Sequence, residues 1–151
     1  MAELSLFLSS LLAGSIFPAS SEAALLYLIT QKYSVLSLVI IATIGNSLGG
    51  ASVYYIGRLG EYAKIERYLR IKPKEIEKYK DKVESFGWWS AFFSFLPIIG
   101  DLILLILGLC KANTLLTLGV MTAGKLFRYS LIAYYAKNLE QIAWSIFDFL
   151  T

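Results

Sequence analysis

Polar residues are thinly spread through this chain, and where they fall divides it into apolar stretches of two lengths. From Tyr33 to Gly57 run 25 residues without a charge. At ~1.5 Å per helical residue this segment exceeds the ~30 Å hydrocarbon thickness of a bilayer, which predicts a spanning helix with some tilt. Gly45, Gly49, Gly50, Ala51 and Ser52 lie inside it, and small residues of this kind let helices approach closely in lipid. Ala112 to Ala136 reads as a second span, interrupted by Lys125 and Arg128. Asn138 to Thr151 then reads as a separate terminal helix, too short to cross and therefore interfacial.

The remaining apolar stretches are about half as long and are broken by prolines. Leu4 to Phe17 has 14 residues and Ala19 to Gln31 has 13, on either side of Pro18. Ser85 to Leu96 has 12 and Ile98 to Cys110 has 13, on either side of Pro97. None reaches the ~20 residues of a spanning helix. Proline removes a backbone donor and clashes with the preceding turn, so each pair is expected to break there. Two half-length helices joined at a breaker make a re-entrant hairpin; a kinked continuous helix is the alternative.

The two halves match at an offset of 79 residues. Pro18 and Pro97, Glu22 and Asp101, Leu25 and Leu104, Leu26 and Leu105, Thr43 and Thr122, Gly45 and Gly124, Tyr55 and Tyr134, and Arg58 and Lys137 all correspond. Between the halves, Pro73 suits a helix start, and Ile76, Tyr79, Val83 and Phe86 recur at helical spacing on an otherwise charged segment. That pattern predicts an amphipathic surface helix, with Trp88 and Trp89 at the membrane–water boundary beyond it. The fold expected is an all-α integral membrane protein forming a single membrane domain over 1–151. It comprises repeat 1 at about 4–58, a cytoplasmic linker at about 59–84, repeat 2 at about 85–137 and a C-terminal interfacial helix at about 138–151. Each repeat is a re-entrant hairpin followed by a transmembrane helix, and the two run in opposite directions as an inverted repeat.

Composition agrees with a lipid environment. Hydrophobic residues make up 57% and charged residues 17%, against about a quarter charged in soluble domains. Histidine is absent and Cys110 is the single cysteine, which removes His-based catalysis, multi-cysteine metal sites and an intrachain disulfide. No cofactor or metal is implied, and an enzyme is not expected. Nine of the 14 basic residues lie between Arg58 and Lys82, which places that linker in the cytoplasm. Glu61, Glu66, Glu75, Glu77, Asp81 and Glu84 are interleaved there, so nucleic acid is not the expected partner. The N-terminal apolar run carries Glu3 and no Lys or Arg before it, unlike a secretory signal, and is read as mature protein.

Four ionisable residues fall within apolar segments: Glu22, Asp101, Lys125 and Arg128. Burying each in a membrane costs at least ~2.5–3.5 kcal/mol, so each needs a partner or a task. Glu22 and Asp101 would either complement a helix start or line a cavity where two half-helix N-termini meet and hold a phosphate or a coupling proton. Lys125 and Arg128, three apart on one helix face, would neutralise the acids or hold an anionic head group. Asn46 occupies the position equivalent to Lys125, so only the second half supplies the cations. Tyr54, Tyr55, Tyr134 and Tyr135 would line a pathway or anchor at the interface.

Phe17-Pro18-Ala19-Ser20-Ser21-Glu22, Gly45-Asn46-Ser47-Leu48-Gly49 through Tyr55-Ile56-Gly57-Arg58, Phe86-Gly87-Trp88-Trp89, Leu96-Pro97-Ile98-Ile99-Gly100-Asp101 and Gly124-Lys125-Leu126-Phe127-Arg128-Tyr129 together resemble the DedA superfamily, also called the VTT or SNARE-associated family, and within it the small YqaA-type branch. The resemblance covers nearly the whole chain. It implies a multi-pass membrane protein with two facing re-entrant hairpins. Members are linked to undecaprenyl phosphate recycling in bacteria and phospholipid scrambling in eukaryotes, and several depend on proton motive force through membrane-embedded acids and arginines. The matching positions are Glu22, Asp101 and Arg128, with Lys125 beside them; Pro18, Ser20, Ser21, Asn46, Pro97 and Gly100 are the supporting positions. Typical members carry an Arg shortly after the second hairpin's Pro-Gly, where this chain has Gly100-Asp101, so phosphate binding by that Arg does not transfer.

The function expected is a flippase- or scramblase-like transporter of an anionic lipid in a prokaryotic inner membrane, with membrane lipid and protons as partners. A homodimer would help enclose a polar path in so small a chain. The alternatives are a proton-coupled antiporter of a small ion or solute, and a non-transporting assembly factor.

Overall fold

The computed structural model describes residues 2–15, 21–60, 73–96 and 99–150, and among these every regular element is a helix. In chain order they are α1 (Ala2–Gly14), α2 (Ser21–Thr30), α3 (Val35–Leu59), α4 (Pro73–Phe86), a 3-10 helix (Gly87–Phe95), α5 (Ile99–Leu109) and α6 (Thr114–Leu150). The long uncharged stretch forms α3, and among the described residues it is the one helix long and apolar enough to cross a membrane. α1, α2 and α5 have 13, 10 and 11 residues, which at ~1.5 Å per residue is well short of ~30 Å. The breaks expected at Pro18 and Pro97 lie outside the described residues, as do Ser20 and the basic linker from 61 to 72.

Local chemistry explains where the helices stop. α3 ends at Gly60, whose φ of 69° no β-carbon obstructs and whose amide bonds the Gly57 carbonyl at 2.9 Å. α5 closes on Lys111, at φ 52°, with the Ala112 amide reaching back to Leu107 at 3.0 Å and the Lys111 amide to Gly108 at 2.9 Å. α2 ends on Lys32, at φ 62°. These two lysines are the left-handed non-glycine residues among the described positions, and 111 − 32 is again 79.

Two boundaries differ from the sequence reading. The stretch expected to end at Ala136 as a second span continues: α6 runs for 37 residues to Leu150, roughly 55 Å, because no glycine or proline follows Gly124, and it is not among the helices apolar enough to cross a membrane. The expected half-helix at Ser85–Leu96 is replaced by α4 running to Phe86, a left-handed Gly87 at φ 57°, and then nine residues of 3-10 helix. On α4, Ile76 and Val83 are buried and Tyr79 half-buried as the spacing predicts, but Phe86 at its end turns outward.

α3 buries Gly45, Asn46, Gly49, Gly50 and Gly57 and exposes Leu36, Ile40, Ile44 and Leu48 at four-residue spacing. Small and polar residues thus face protein while a continuous aliphatic stripe faces out, as lipid favours. Two apolar clusters form inside. One centres on α5, whose Leu102 to Leu107 are buried all round, with Val53, Ile76, Val83 and Met121. The other centres on α2, with Leu6, Leu38, Ala42, Tyr129 and Ala133. α1 packs on α3 and the 3-10 helix on α6, while α5 packs on α3 and α2 on α6.

Glycine sets how closely these helices meet. A β-carbon on Gly108 would run into the Tyr54 carbonyl and the Arg58 amide, and one on Gly57 would run into the Leu105 backbone. Gly119 has open space around it. Gly108→Ala is therefore expected to lower stability by about 1–3 kcal/mol, whereas Gly119→Ala raises it by about 0.5–1 kcal/mol through helix propensity. Unfolding in detergent micelles checks both signs.

Candidate functional site

One turn of α6 carries the polar groups of the interior. Lys125, Arg128 and Tyr129 are spaced three and four apart, so they leave the helix toward one side, where α2, α3 and the end of the 3-10 helix meet them. Arg128 forks: Nη1 donates to the Phe95 carbonyl at 2.6 Å, and Nη2 is ion-paired with Glu22 Oε1. The side chains of Arg128 and Glu22 nevertheless keep 29% and 42% of their surface accessible. Beside them, the Tyr129 hydroxyl sits between Ser21 Oγ at 2.8 Å and Asn46 Nδ2 at 2.9 Å.

Lys125 reaches into α3 at the same residue. It is 2% exposed, and its Nζ donates to the Asn46 backbone carbonyl at 2.5 Å. A β-carbon on Gly50 would stand 2.6 Å from that nitrogen, so the glycine leaves the notch the ammonium occupies. A helix carbonyl keeps a second lone pair, which makes it a usable acceptor here. Asp101 lies in the first turn of α5. Among the described residues no salt bridge or side-chain hydrogen bond holds its carboxylate.

The candidate residues of the sequence thus divide into groups. Glu22 and Arg128 are brought into direct contact; Ser21 and Asn46 join through Tyr129; Lys125 meets Asn46; Asp101 joins none of them by a salt bridge or side-chain hydrogen bond among the described residues. Gly100 is buried against the Ser94 carbonyl, a packing role. Pro18, Ser20 and Pro97 lie outside the described residues. Sequence reasoning gave Tyr129 no task, although its place four residues after Lys125 and next to Arg128 was a usable signal. It also grouped four tyrosines that the structure separates. Tyr55, Tyr134 and Tyr135 are exposed, while Tyr54 is fully buried. The Tyr54 hydroxyl donates to the Ala112 carbonyl at 2.6 Å and receives Arg58 Nη1 at 2.8 Å, and the same Arg58 nitrogen lies 3.0 Å from Thr114 Oγ1. This second polar node fastens the α5–α6 turn to the end of α3.

Removing the Tyr129 hydroxyl strands two buried groups at once. Tyr129→Phe is expected to destabilise the protein by about 1–3 kcal/mol, and Tyr135→Phe, at the surface, to leave it unchanged. Paired unfolding curves in one detergent check this.

The comparisons with known proteins agree with the family expected from the motifs. The sequence profile of the VTT domain matches residues 7–138. The chain is 30% identical over 141 residues to inner membrane protein YqaA of Escherichia coli (strain K12), covering 93% of each. It is 28% identical over 132 residues to an uncharacterized protein of Haemophilus influenzae, covering 82% of this chain and 80% of the relative. A shorter similarity, 29% over 93 residues, covers 56% of this chain and 46% of undecaprenyl phosphate transporter A of Staphylococcus aureus. No solved structure matches the chain at a significant level. With its profile matched across most of its length, the chain belongs to the VTT domain family.

Proposed function

We propose that this protein is an inner-membrane lipid transporter of a prokaryotic cell that moves an anionic lipid head group, a polyprenyl phosphate or a phospholipid, between the leaflets. In this reading 1–151 is one membrane domain, made of two inverted repeats that each join a re-entrant hairpin to a spanning helix, with the basic linker and α4 on the cytoplasmic side. The family and the relatives named inner membrane protein YqaA and undecaprenyl phosphate transporter A support the membrane placement and the transport class. The 79-residue offset supports the duplication. It relates α2 to α5 and the start of α3 to the start of α6. It relates the left-handed Lys32 to Lys111, and the pairing of α5 with α3 to that of α2 with α6. Lys125 touches Asn46, its own counterpart at that offset, as residues near an internal two-fold axis do.

The observation that carries the reading is the accessible Arg128–Glu22 pair. An arginine recognises phosphate best when two nitrogens bond it side by side. Here one nitrogen is engaged by Glu22 and the other by the Phe95 carbonyl. Protonation of Glu22 would remove its charge and release Nη2 to a phosphate oxygen; return of the carboxylate would expel the head group. Proton and lipid would then compete for one guanidinium, and each shifts the state that the other disfavours. Asp101, in the first turn of α5, supplies a second carboxylate for such an exchange.

A non-transporting assembly role is favoured by one fact: both terminal nitrogens of Arg128 already have protein partners. Exchanging the charges, Glu22→Arg with Arg128→Glu, separates the two. An assembly role survives the exchange, and transport does not.

In proteoliposomes, Arg128→Ala and Glu22→Gln are expected to slow movement of a fluorescent anionic lipid about tenfold or more, the loss of one charge-assisted contact. Asp101→Asn is expected to slow it as well, and Tyr135→Phe to leave it unchanged. Unaltered movement in both Arg128→Ala and Asp101→Asn would contradict the proposal.

A further inference from the structure

A recess lies apart from the polar groups around Arg128. Between α4, the 3-10 helix and the start of α5 is a cavity of about 230 Å³, and none of Glu22, Asn46, Asp101, Lys125, Arg128 or Tyr129 lines it. Val83 and Ile103 form buried walls, while Phe86, Phe93 and Ile99 are exposed at its mouth. The surface it presents is entirely apolar. Ser90, which also borders it, spends its hydroxyl on the Gly87 carbonyl at 2.7 Å. Water entering such a space finds no partner, and apolar cavities of about 150 Å³ stay dry and admit hydrocarbons. Phe86, Phe93, Leu96 and Ile99 are exposed apolar side chains at the mouth, so in the membrane placement proposed above what reaches it is hydrocarbon rather than solvent.

One charge borders this recess. Lys82, next in sequence to Val83, lines it with its aliphatic stem and, being exposed, carries its ammonium outside that apolar surface. Three other charges on α4 have partners: Lys80 pairs with Glu84 at 3.8 Å, and Glu84 also accepts from Cys110 Sγ at 3.0 Å. Lys78 sits over the Tyr79 ring, 5.3 Å from its centroid. Among the described residues Lys82 makes no salt bridge. Close by in sequence, Trp88 and Trp89 stack with centroids 4.5 Å apart, and Trp89 is exposed. Exposed tryptophans of this kind settle at head-group depth. An open apolar slot with a cation at its edge, near in sequence to an exposed tryptophan, is complementary to one class of molecule, an amphiphile with a hydrocarbon chain and an anionic head.

The geometry points to a lipid-binding site between α4, the 3-10 helix and α5, which holds one acyl chain of an anionic phospholipid with its phosphate at Lys82. The site rests on the membrane placement proposed above and not on transport. It binds a lipid to the outside of the bundle, away from the Arg128 centre. A lipid seated there packs α4 against α5 and ties the linker helix to the membrane surface.

The test uses the full chain in mild detergent, titrated with phosphatidylglycerol or with phosphatidylcholine of matched chains, with bound lipids counted by native mass spectrometry. Ile99→Trp fills the mouth, Lys82→Glu reverses the charge, and Leu115→Trp adds the same bulk on another exposed face. All three positions are exposed, and unfolding curves confirm that the variants fold. The wild-type protein is expected to hold one phosphatidylglycerol per chain. Ile99→Trp should weaken both lipids about tenfold, Lys82→Glu should weaken phosphatidylglycerol alone by about fivefold, and Leu115→Trp should match wild type. Retention of phosphatidylglycerol in Ile99→Trp, or equal loss of both lipids in Lys82→Glu, overturns the site. Lipid movement through the Arg128 centre is expected to persist in Ile99→Trp, so the two proposals fail separately.

Discussion

The arrangement depends on the need of a guanidinium inside an apolar bundle to find an acceptor. Arg128 is carried by a helix whose neighbours are otherwise aliphatic, and an unpaired charge there would cost at least ~2.5–3.5 kcal/mol in a membrane. Glu22 and the Phe95 carbonyl meet that need. In doing so they join three elements far apart in sequence: α2, the end of the 3-10 helix and α6. Lys125 adds α3 through the Asn46 carbonyl, and Tyr129 closes the layer by joining Ser21 to Asn46. The polar layer is therefore what holds the two apolar clusters in register.

Around that layer the helices can come close only because their meeting faces are small. Gly14 and Gly49 let α1 lie on α3, Gly57 and Gly108 let α3 lie on α5, and Gly124 lets α6 lie against the 3-10 helix at Phe92. Aliphatic side chains displaced from these faces point outward instead. This close approach through glycine, with an aliphatic stripe left on the outside of α3, is the pattern expected where lipid replaces water. It also leaves room for recesses at the periphery, of which the slot beneath α4 is one.

Much of this was legible in the sequence because it rests on side-chain character. The uncharged run Tyr33–Gly57 became α3 with its ends moved by two residues, and the half-length stretches became α1, α2 and α5. The family followed from short motifs containing the charged residues. What stayed illegible depends on the backbone. Lys125 bonds a main-chain carbonyl, and a carbonyl is present at every residue whatever its side chain, so nothing at Asn46 marked it as the acceptor. The left-handed Lys32 and Lys111 stand where glycine is usual, and their equivalence was hidden by their ordinary identity. The terminal segment looked separate because its composition changes after Ala136, yet no breaker interrupts the α6 hydrogen bonds. Tyr54 could not be told from Tyr55 by type; a one-residue step around α3 puts one against Ala112 and the other outside.

The coupling between Glu22 and Arg128 is the quantity that tests this account most directly. A double-mutant cycle with Glu22→Gln, Arg128→Gln and the combined variant, followed by unfolding in detergent, isolates it. If the pair organises the interior, each single change strands the other partner's charge, and the double variant loses less than the sum of the two, with a coupling energy of about 1–3 kcal/mol. Losses that simply add would mean that the two charges act independently, and the layer would not be what holds the bundle together.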